Sequence, residues 1–244
     1  MKYLTVLLIF APVAIIGRLF FSDWPPTLLF ISSALAVIPA AGILGQATEE
    51  LAVHTGPRLG GLMNATLGNA AELIITIFAI RAGLLELVKA SITGSILGNV
   101  LLIMGFSVLV GGIRHGEQRF DHTQAGVDAT QLLLAVMALA IPSLFFFAHT
   151  ETEGPVEWLS LGTAIAMLVI YALGLIFAFR QANPEPALAH ATQEAHHGGW
   201  PLSRTIGLLL ASTALIAWLS EILVGTVEHT VAVLGVSEFF IGII

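Results

Sequence analysis

One acidic residue lies inside a long apolar stretch of the sequence, among small polar residues. Glu72 is about 12 residues into an apolar run of about 21, near the bilayer centre if the run spans a membrane as a helix. Asn64, Gly68 and Thr76 share its helix face at four-residue steps, and Asn69 precedes it by three residues. An ionisable residue at this depth costs about 2.5–3.5 kcal/mol, so Glu72 is a candidate functional residue.

The next apolar run carries a second polar face, formed by Ser91, Ser95 and Asn99 at four-residue steps. Carboxylate, amide and hydroxyl oxygens are ligands that Ca²⁺ prefers, and neither face contains sulfur or imidazole. Glycines at positions 60, 61 and 68 are expected to loosen the helix before Glu72 and to free backbone carbonyls. We therefore predict a hard-cation site at which protons and cations compete for Glu72.

Small residues at this spacing also have a purely structural interpretation. Gly94 and Gly98 would let two helices approach closely, and a serine can simply bond across a helix interface. For Ser91, Ser95 and Gly94 the packing interpretation stays open.

The composition is that of a membrane protein. Of the 244 residues, 57% are hydrophobic and 10% are charged, whereas soluble proteins carry about a quarter charged residues. This excludes a nucleic-acid binder, a disordered regulator and almost any cytosolic enzyme, and the lack of cysteine excludes a thiol nucleophile. An intramembrane metal enzyme would need histidines at membrane depth, but all eight lie in predicted loops or helix ends. We predict no enzymatic activity and no cofactor.

Apolar runs of about 20 residues predict an all-α polytopic membrane protein. Seven transmembrane helices are predicted at residues 3–21, 27–44, 60–80, 91–112, 125–148, 158–179 and 203–224, and an eighth begins near Ser237. The first run resembles a signal peptide, but it lacks a small-residue cleavage site, which favours a retained anchor. Six Lys and Arg residues on one side against three on the other favour a cytoplasmic N-terminus.

Several segments resemble known motifs. The two main ones are residues 68–74, GNAAELI, and residues 90–99, ASITGSILGN. They are similar to the first conserved repeat of the Ca²⁺/H⁺ antiporters, the cation/proton exchanger branch of the calcium/cation antiporter superfamily. Further similarity to that branch is found in residues 47–52, ATEELA, residues 219–225, LSEILVG, and residues 235–242, GVSEFFIG.

The resemblance implies a secondary active transporter that exchanges Ca²⁺ for H⁺. It implies a lone first helix and two inverted five-helix repeats, with one glutamate from each half at the ion site. Carried over by position, the metal ligands are Glu72, Asn69, Gly68, Ser95 and Asn99. A second glutamate motif is expected beyond Ile244, so the 244 residues represent the N-terminal part of this inverted-repeat fold.

Two other functions stay open. A sodium-driven exchanger would predict further acids on the helices at 60–80 and 91–112, where only neutral oxygens accompany Glu72. A non-transporting membrane assembly partner is the alternative from a different class.

The sequence also contains a weak internal repeat. Five residues match five others at a constant offset of 179, namely Ser33, Ile43, Leu44, Glu49 and Gly56 with Ser212, Ile222, Leu223, Glu228 and Gly235. We expect residues 1–26 to form the first helix and its linker and residues 27–180 the first five-helix repeat. Residues 181–202 would be a cytoplasmic linker, and residues 203–244 would begin the second, inverted repeat.

Acids at the helix ends are candidates for an ion pathway. Glu49 and Glu50 collect cations at the cytoplasmic mouth or are ordinary solvated acids, and Glu221 is assigned to the outer path of protons or cations. The histidine-bearing loop 181–201 is interpreted as a solvated linker, with regulation by cations or pH as the alternative.

The expected partners are Ca²⁺, H⁺ and membrane lipid, without nucleic acid, and a homo-oligomer is left open. The predicted location is the plasma membrane of a prokaryote or a vacuolar-type membrane of a eukaryote.

Overall fold

A computed structural model describes residues 4–21, 24–120, 122–148, 153–180 and 199–243 of the chain. The histidine-bearing loop predicted at 181–201 lies almost entirely outside these residues. All regular elements described are helical, and a 3₁₀ segment, Leu4–Ile9, leads into the first of them. The α-helices are α1 (Phe10–Phe20), α2 (Pro26–Thr55), α3 (Pro57–Leu67), α4 (Ala70–Arg81), α5 (Leu85–Leu97), α6 (Gly105–His115), α7 (His122–Ala148), α8 (Glu153–Arg180), α9 (Leu202–Gly225), α10 (Val227–Leu234) and α11 (Glu238–Ile243).

Five stretches are long and apolar enough to cross a membrane. They are Pro26–Thr55, Leu85–His115, Ala125–Phe146, Glu157–Phe177 and Leu202–Gly225. In the second, third and fourth of these, none of the most apolar window is buried within the described chain, as expected for side chains in contact with lipid. This agrees with the predicted all-α membrane protein.

Several helix limits differ from the predicted ones. The helix predicted at 27–44 continues through Pro39 as α2 to Thr55 and ends directly before Gly56 and Pro57. The single helix predicted at 60–80 is two helices, α3 and α4, separated at Gly68 and Asn69. The helix predicted at 91–112 already begins at Leu85, directly after the turn at Gly83, whose φ is 81°.

The chain divides into two compact units, and the first contains every predicted site residue. Residues 1–107 and 184–244 form this first unit, and residues 108–183 form the second. In the second unit α7 packs against α8, with the Gln131 side chain directed at Gly174.

The core of the first unit is the antiparallel pair of α2 and α9. Leu29, early in α2, packs with Ile222, late in α9, whereas Leu44, late in α2, packs with Ile216, earlier in α9. Ala11 and other small residues of α1 cover the first of these clusters. The two helices that the sequence repeat relates therefore run in opposite directions, as an inverted repeat requires.

Two of the five matched pairs also share a local feature. Ser33 and Ser212 are both buried, and each hydroxyl donates a 2.7 Å hydrogen bond to the carbonyl four residues earlier. Gly56 and Gly235 both have positive φ, 85° and 66°, and each amide donates a 3.0 Å bond to the carbonyl four residues earlier. These glycines end α2 and α10, where a positive φ favours glycine, but only Gly235 is left-handed helical, since Gly56 has a ψ of 167°.

Candidate functional site

The most distinctive local feature is the interruption between α3 and α4. The Gly68 amide still donates to the Asn64 carbonyl at 3.0 Å, and the Leu73 amide donates to the Asn69 carbonyl at 3.0 Å. Glu72 lies between these two bonds, in the first turn of α4. The last carbonyl groups of a helix have no intrahelical partners and carry partial negative charge. The interruption thus places Glu72 one turn after the end of α3, where backbone carbonyls lack intrahelical partners.

The sequence explains the position of this break. Glycine disfavours a helix interior by about 1 kcal/mol relative to alanine, and asparagine favours the residue just before a helix. Gly68 and Asn69 occupy these two positions. The predicted loosening before Glu72 is therefore present at Gly68. It does not occur at Gly60, which lies within α3 and packs closely on Ala52 of α2.

Ala71 fixes the start of α4 to the core. Its side chain is 7% exposed and packs with Ala40 and Leu44 of α2 and Ile216 of α9. The neighbouring Glu72 is exposed within the described chain. The core therefore holds the backbone of the Glu72 turn on one side and leaves the carboxylate accessible on the other.

The predicted ligands of the next helix lie at a comparable depth. Glu72 precedes the turn at Gly83 by 11 residues, and Ser95 follows that turn by 12, so each is about 16–18 Å along its helix. The α4 and α5 helices pack together near their shared turn, at Ala79, Leu84 and Leu87. Ser95 would lie level with Glu72 if the two helices continued side by side beyond these contacts.

Asn99 belongs to a π-helical stretch, Gly98–Met104, which connects α5 to α6. Its amide nitrogen donates to the Ser95 hydroxyl at 3.5 Å, the upper limit for such a bond. Short π-helical segments are frequent at functional sites. The structure thus brings Ser95 and Asn99 together on one helix face, as their spacing predicts.

The last described helix, α11, contacts α5 at Gly94, the residue before Ser95. A Cβ atom on Gly94 would lie 2.6 Å from the carbonyl oxygen of Ile243, and one on Gly242 would lie 2.6 Å from the Cβ of Ala90. The two backbones therefore touch directly. The packing interpretation holds for Gly94, but a Cβ on Gly98 would meet no atom of the described chain within 4 Å.

The three acids predicted for an ion pathway have different surroundings. Glu49 is exposed on α2, and Glu221 is exposed near the Gly225 end of α9. Glu50 is half-buried, and its Oε2 accepts a 3.0 Å hydrogen bond from the backbone amide of Trp200. Because α2 and α9 are antiparallel, Glu50 and Glu221 lie at opposite ends of this helix pair.

No group of three or more His, Cys, Asp or Glu side chains lies close together in the described part of the chain. A cation at Glu72 would therefore depend on neutral oxygens for most of its ligands. The oxygens of Asn69, Ser95, Asn99 and the end of α3 are of the hard type that Ca²⁺ takes.

Comparison with known proteins identifies the family. The model of the family described as sodium/calcium exchanger protein matches residues 25–180. The chain belongs to the sodium/calcium exchanger family. Together with the relatives and the solved structure described next, this match confirms the predicted resemblance to the Ca²⁺/H⁺ antiporters and the all-helical membrane fold.

Several relatives within the sodium/calcium exchanger family align with nearly the whole length of this chain. A Ca²⁺/H⁺ antiporter of Aphanothece halophytica is 37% identical, with 98% of this chain and 67% of the relative aligned. The Ca²⁺/H⁺ antiporter ChaA of Bacillus subtilis is 38% identical over 96% of this chain and 66% of its own length. Vacuolar cation/proton exchanger 3 of rice, Oryza sativa, is 38% identical over 99% of this chain and 60% of its own length. The chain thus spans about two thirds of its relatives.

A solved structure has the same fold. The crystal structure of the selenium-substituted Ca²⁺/H⁺ antiporter protein YfkE superimposes with a TM-score of 0.79 at 33% identity, covering 100% of this chain and 67% of that one. The sodium/calcium exchanger family chain is therefore a multi-pass integral membrane protein.

Neither Trp200 nor Arg204 was predicted to have a role in this exchanger-family chain. The Arg204 guanidinium lies 4.7 Å from the centroid of the Trp200 ring, over its face. The Trp-Pro pair before a predicted helix marked the position, but the residue that binds the Trp200 amide, Glu50, lies 150 residues away and could not be inferred from the sequence.

We predict that Gly68→Ala impairs the site. A Cβ at this position would overlap the Asn64 carbonyl oxygen, so the break between α3 and α4 would have to rearrange. Gly45→Ala is the matched control, because a Cβ on Gly45 of α2 meets no atom within 4 Å. We expect Gly68→Ala to weaken Ca²⁺ uptake by about tenfold, as overpacking costs about 1–3 kcal/mol. Equal uptake in both variants, measured at matched expression, would contradict this.

Proposed function

We propose that this protein exchanges Ca²⁺ for H⁺ across a membrane. The observation that carries the proposal is the helix interruption at Gly68 and Asn69 with Glu72 in the turn that follows. Such interrupted helices supply substrate and ion sites in secondary transporters. The printed names of the relatives, Ca²⁺/H⁺ antiporters and cation/proton exchangers, support Ca²⁺ and H⁺ as the ions.

In the proposed mechanism, Glu72 binds either a proton or a cation. Ca²⁺ takes six to eight oxygens, and the Glu72 carboxylate would supply the negative charge among them. Asn69, Ser95, Asn99 and the carbonyls around Gly68 would supply neutral oxygens. When a proton binds to a carboxylate oxygen of Glu72, the charge that holds the cation is lost and the cation leaves. When a cation arrives, the proton leaves, so that the two fluxes are coupled.

The proposal includes an orientation. The excess of Lys and Arg favours a cytoplasmic N-terminus, so the Thr55 end of α2 would face the cytoplasm. Glu49 would then lie near the cytoplasmic entrance, and Glu221 would lie near the opposite entrance. The membrane would be the plasma membrane of a prokaryote or a vacuolar-type membrane.

Inverted membrane vesicles that contain the protein, expressed in full, test this function. We expect radioactive Ca²⁺ to accumulate when the vesicle interior is acidic and to leave when an ionophore collapses the pH gradient. Uptake that follows an imposed Na⁺ gradient instead would indicate a sodium-driven exchanger. No uptake under either gradient would contradict transport and favour an assembly role.

A further inference from the structure

A contact between two segments of the first unit that are 150 residues apart lies outside the proposed ion site. The Trp200 amide donates to Glu50 Oε2 at 3.0 Å, and the Arg204 guanidinium covers the Trp200 ring. Glu50 is on α2, whereas Trp200 immediately precedes α9. We refer to Glu50, Trp200 and Arg204 together as the Glu50 brace.

The local sequence explains why the brace forms at this point. Pro201 stands just before α9 and has no amide hydrogen, so the Trp200 amide is the nearest donor ahead of the helix. A carboxylate near a helix N-terminus is also stabilised by the helix dipole. Arg204, on the first turn of α9, stacks on the Trp200 ring and restricts its position. Glu50 thus binds the chain just before α9 from another helix, outside the first turn of α9 itself.

The brace joins the residue before α9 to α2 through one hydrogen bond, beside the cation–π contact of Arg204 with Trp200. Sliding of α9 would move Ile216, which packs against Leu44 of α2 and Ala71 of α4. Ala71 directly precedes Glu72 and is its attachment to the core. A displacement at Trp200 would therefore reach the Glu72 turn through the body of α9.

We propose that Glu50 is a positioning residue for ion exchange, which acts through Trp200 and α9 on the placement of Glu72. This inference rests on the proposed function. It assigns Glu50 the role of a hydrogen-bond acceptor, whereas cation collection at the membrane surface would need its negative charge. Glutamine keeps an acceptor oxygen of similar reach and loses the charge, so it separates the two roles.

The test is Ca²⁺ uptake at a series of Ca²⁺ concentrations in Glu50→Ala and Glu50→Gln. We expect Glu50→Ala to lower Ca²⁺ uptake by about tenfold, the loss of a hydrogen bond to a charged group, and to raise KM as well, because a displaced Glu72 also binds Ca²⁺ less well. Glu50→Gln should stay within about threefold of the wild type, since a neutral acceptor gives a weaker but formed bond. Glu86→Ala is the control, because Glu86 is exposed and only approaches Lys89, at 3.9 Å.

Two results would overturn the inference. A raised KM in Glu50→Gln, with the maximal rate intact, would assign Glu50 to cation collection. Wild-type rates in Glu50→Ala would show that the brace does not affect exchange.

A second measurement tests the Glu50 brace independently of whether the protein transports Ca²⁺. The 244 residues contain no cysteine, so Gly199→Cys introduces one thiol beside the brace. We expect Glu50→Ala, and not Glu50→Gln, to accelerate labelling of that thiol by a membrane-impermeant maleimide. Equal labelling in both would refute the brace, whereas failure of Ca²⁺ uptake in the wild type would refute only the proposed function.

Discussion

The Glu72→Gln variant is expected to lose proton-driven Ca²⁺ uptake by at least about 100-fold. Glutamine has nearly the same size, so α4 and the Ala71 contact should persist, but the negative charge and the exchangeable proton are removed. Two unit charges about 4 Å apart interact by about 4 kcal/mol at an effective dielectric constant of 20, and Ca²⁺ carries two charges. A 100-fold loss corresponds to about 2.8 kcal/mol, well inside that interaction.

Glu86→Gln is the matched control for this experiment. Glu86 lies on α5, with its side chain 67% exposed, and exposed ion pairs such as the one with Lys89 contribute little. Both variants are compared in inverted vesicles at equal protein content, with uptake driven by the same pH gradient. If Glu72→Gln retains wild-type uptake, Glu72 does not bind the transported cation and the proposed mechanism is wrong.

The second large effect is expected at Gly94, where α5 and α11 touch. A Cβ on Gly94 would lie 2.6 Å from the Ile243 carbonyl oxygen, 2.8 Å from its Cα and 3.0 Å from its carbonyl carbon. These are backbone atoms, which cannot rotate away as a flexible side chain could. Gly94→Ala must therefore separate the two helices and displace Ser95, the adjacent predicted ligand. We expect about 1–3 kcal/mol of destabilisation and a loss of more than about tenfold in Ca²⁺ uptake.

Gly98→Ala provides the comparison for this prediction. It makes the same substitution one helical turn later, where a Cβ meets no described atom within 4 Å. Both variants gain about 1 kcal/mol in helix propensity over glycine, so the difference between them isolates the collision with α11. Thermal unfolding in detergent should show a lower Tm for Gly94→Ala than for Gly98→Ala. Equal Tm values would mean that α11 does not pack on α5 in this way.

Local composition predicted the fold class correctly, and the motifs at residues 68–74 and 90–99 predicted the family. The apolar runs located α2, α5, α7, α8 and α9 because lipid-spanning helices need about 20 apolar residues. The run that holds Glu72 was predicted as one helix because hydrophobicity does not report the small propensity differences that end α3 at Leu67. Helix ends set by Gly56 and Gly83 were missed for the same reason, since both depend on backbone conformation.

Contacts between segments that are far apart in the chain could not be predicted from the sequence. Gly94 and Gly98 have the same spacing and the same residue type, and only the position of Ile243 distinguishes them. Glu49 and Glu50 are likewise adjacent acids, yet only Glu50 faces Trp200. The roles of Glu72, Asn69, Gly68, Ser95 and Asn99 stay predictions that the proposed experiments address.

The antiparallel pairing of α2 and α9 also determines the order in which the protein is built. About 150 residues separate the end of α2 from the start of α9, and synthesis at about 5–20 residues per second needs about 7–30 s to make them. Newly inserted α2 is therefore in the membrane for this time without α9, the helix against which it packs. Its buried hydroxyls tolerate the delay, because Ser33 and Thr48 donate to carbonyls of their own helix, Leu29 at 2.7 Å and Leu44 at 2.9 Å. Before α9 is synthesised, α2 therefore has no unpaired hydroxyl donor at these two positions.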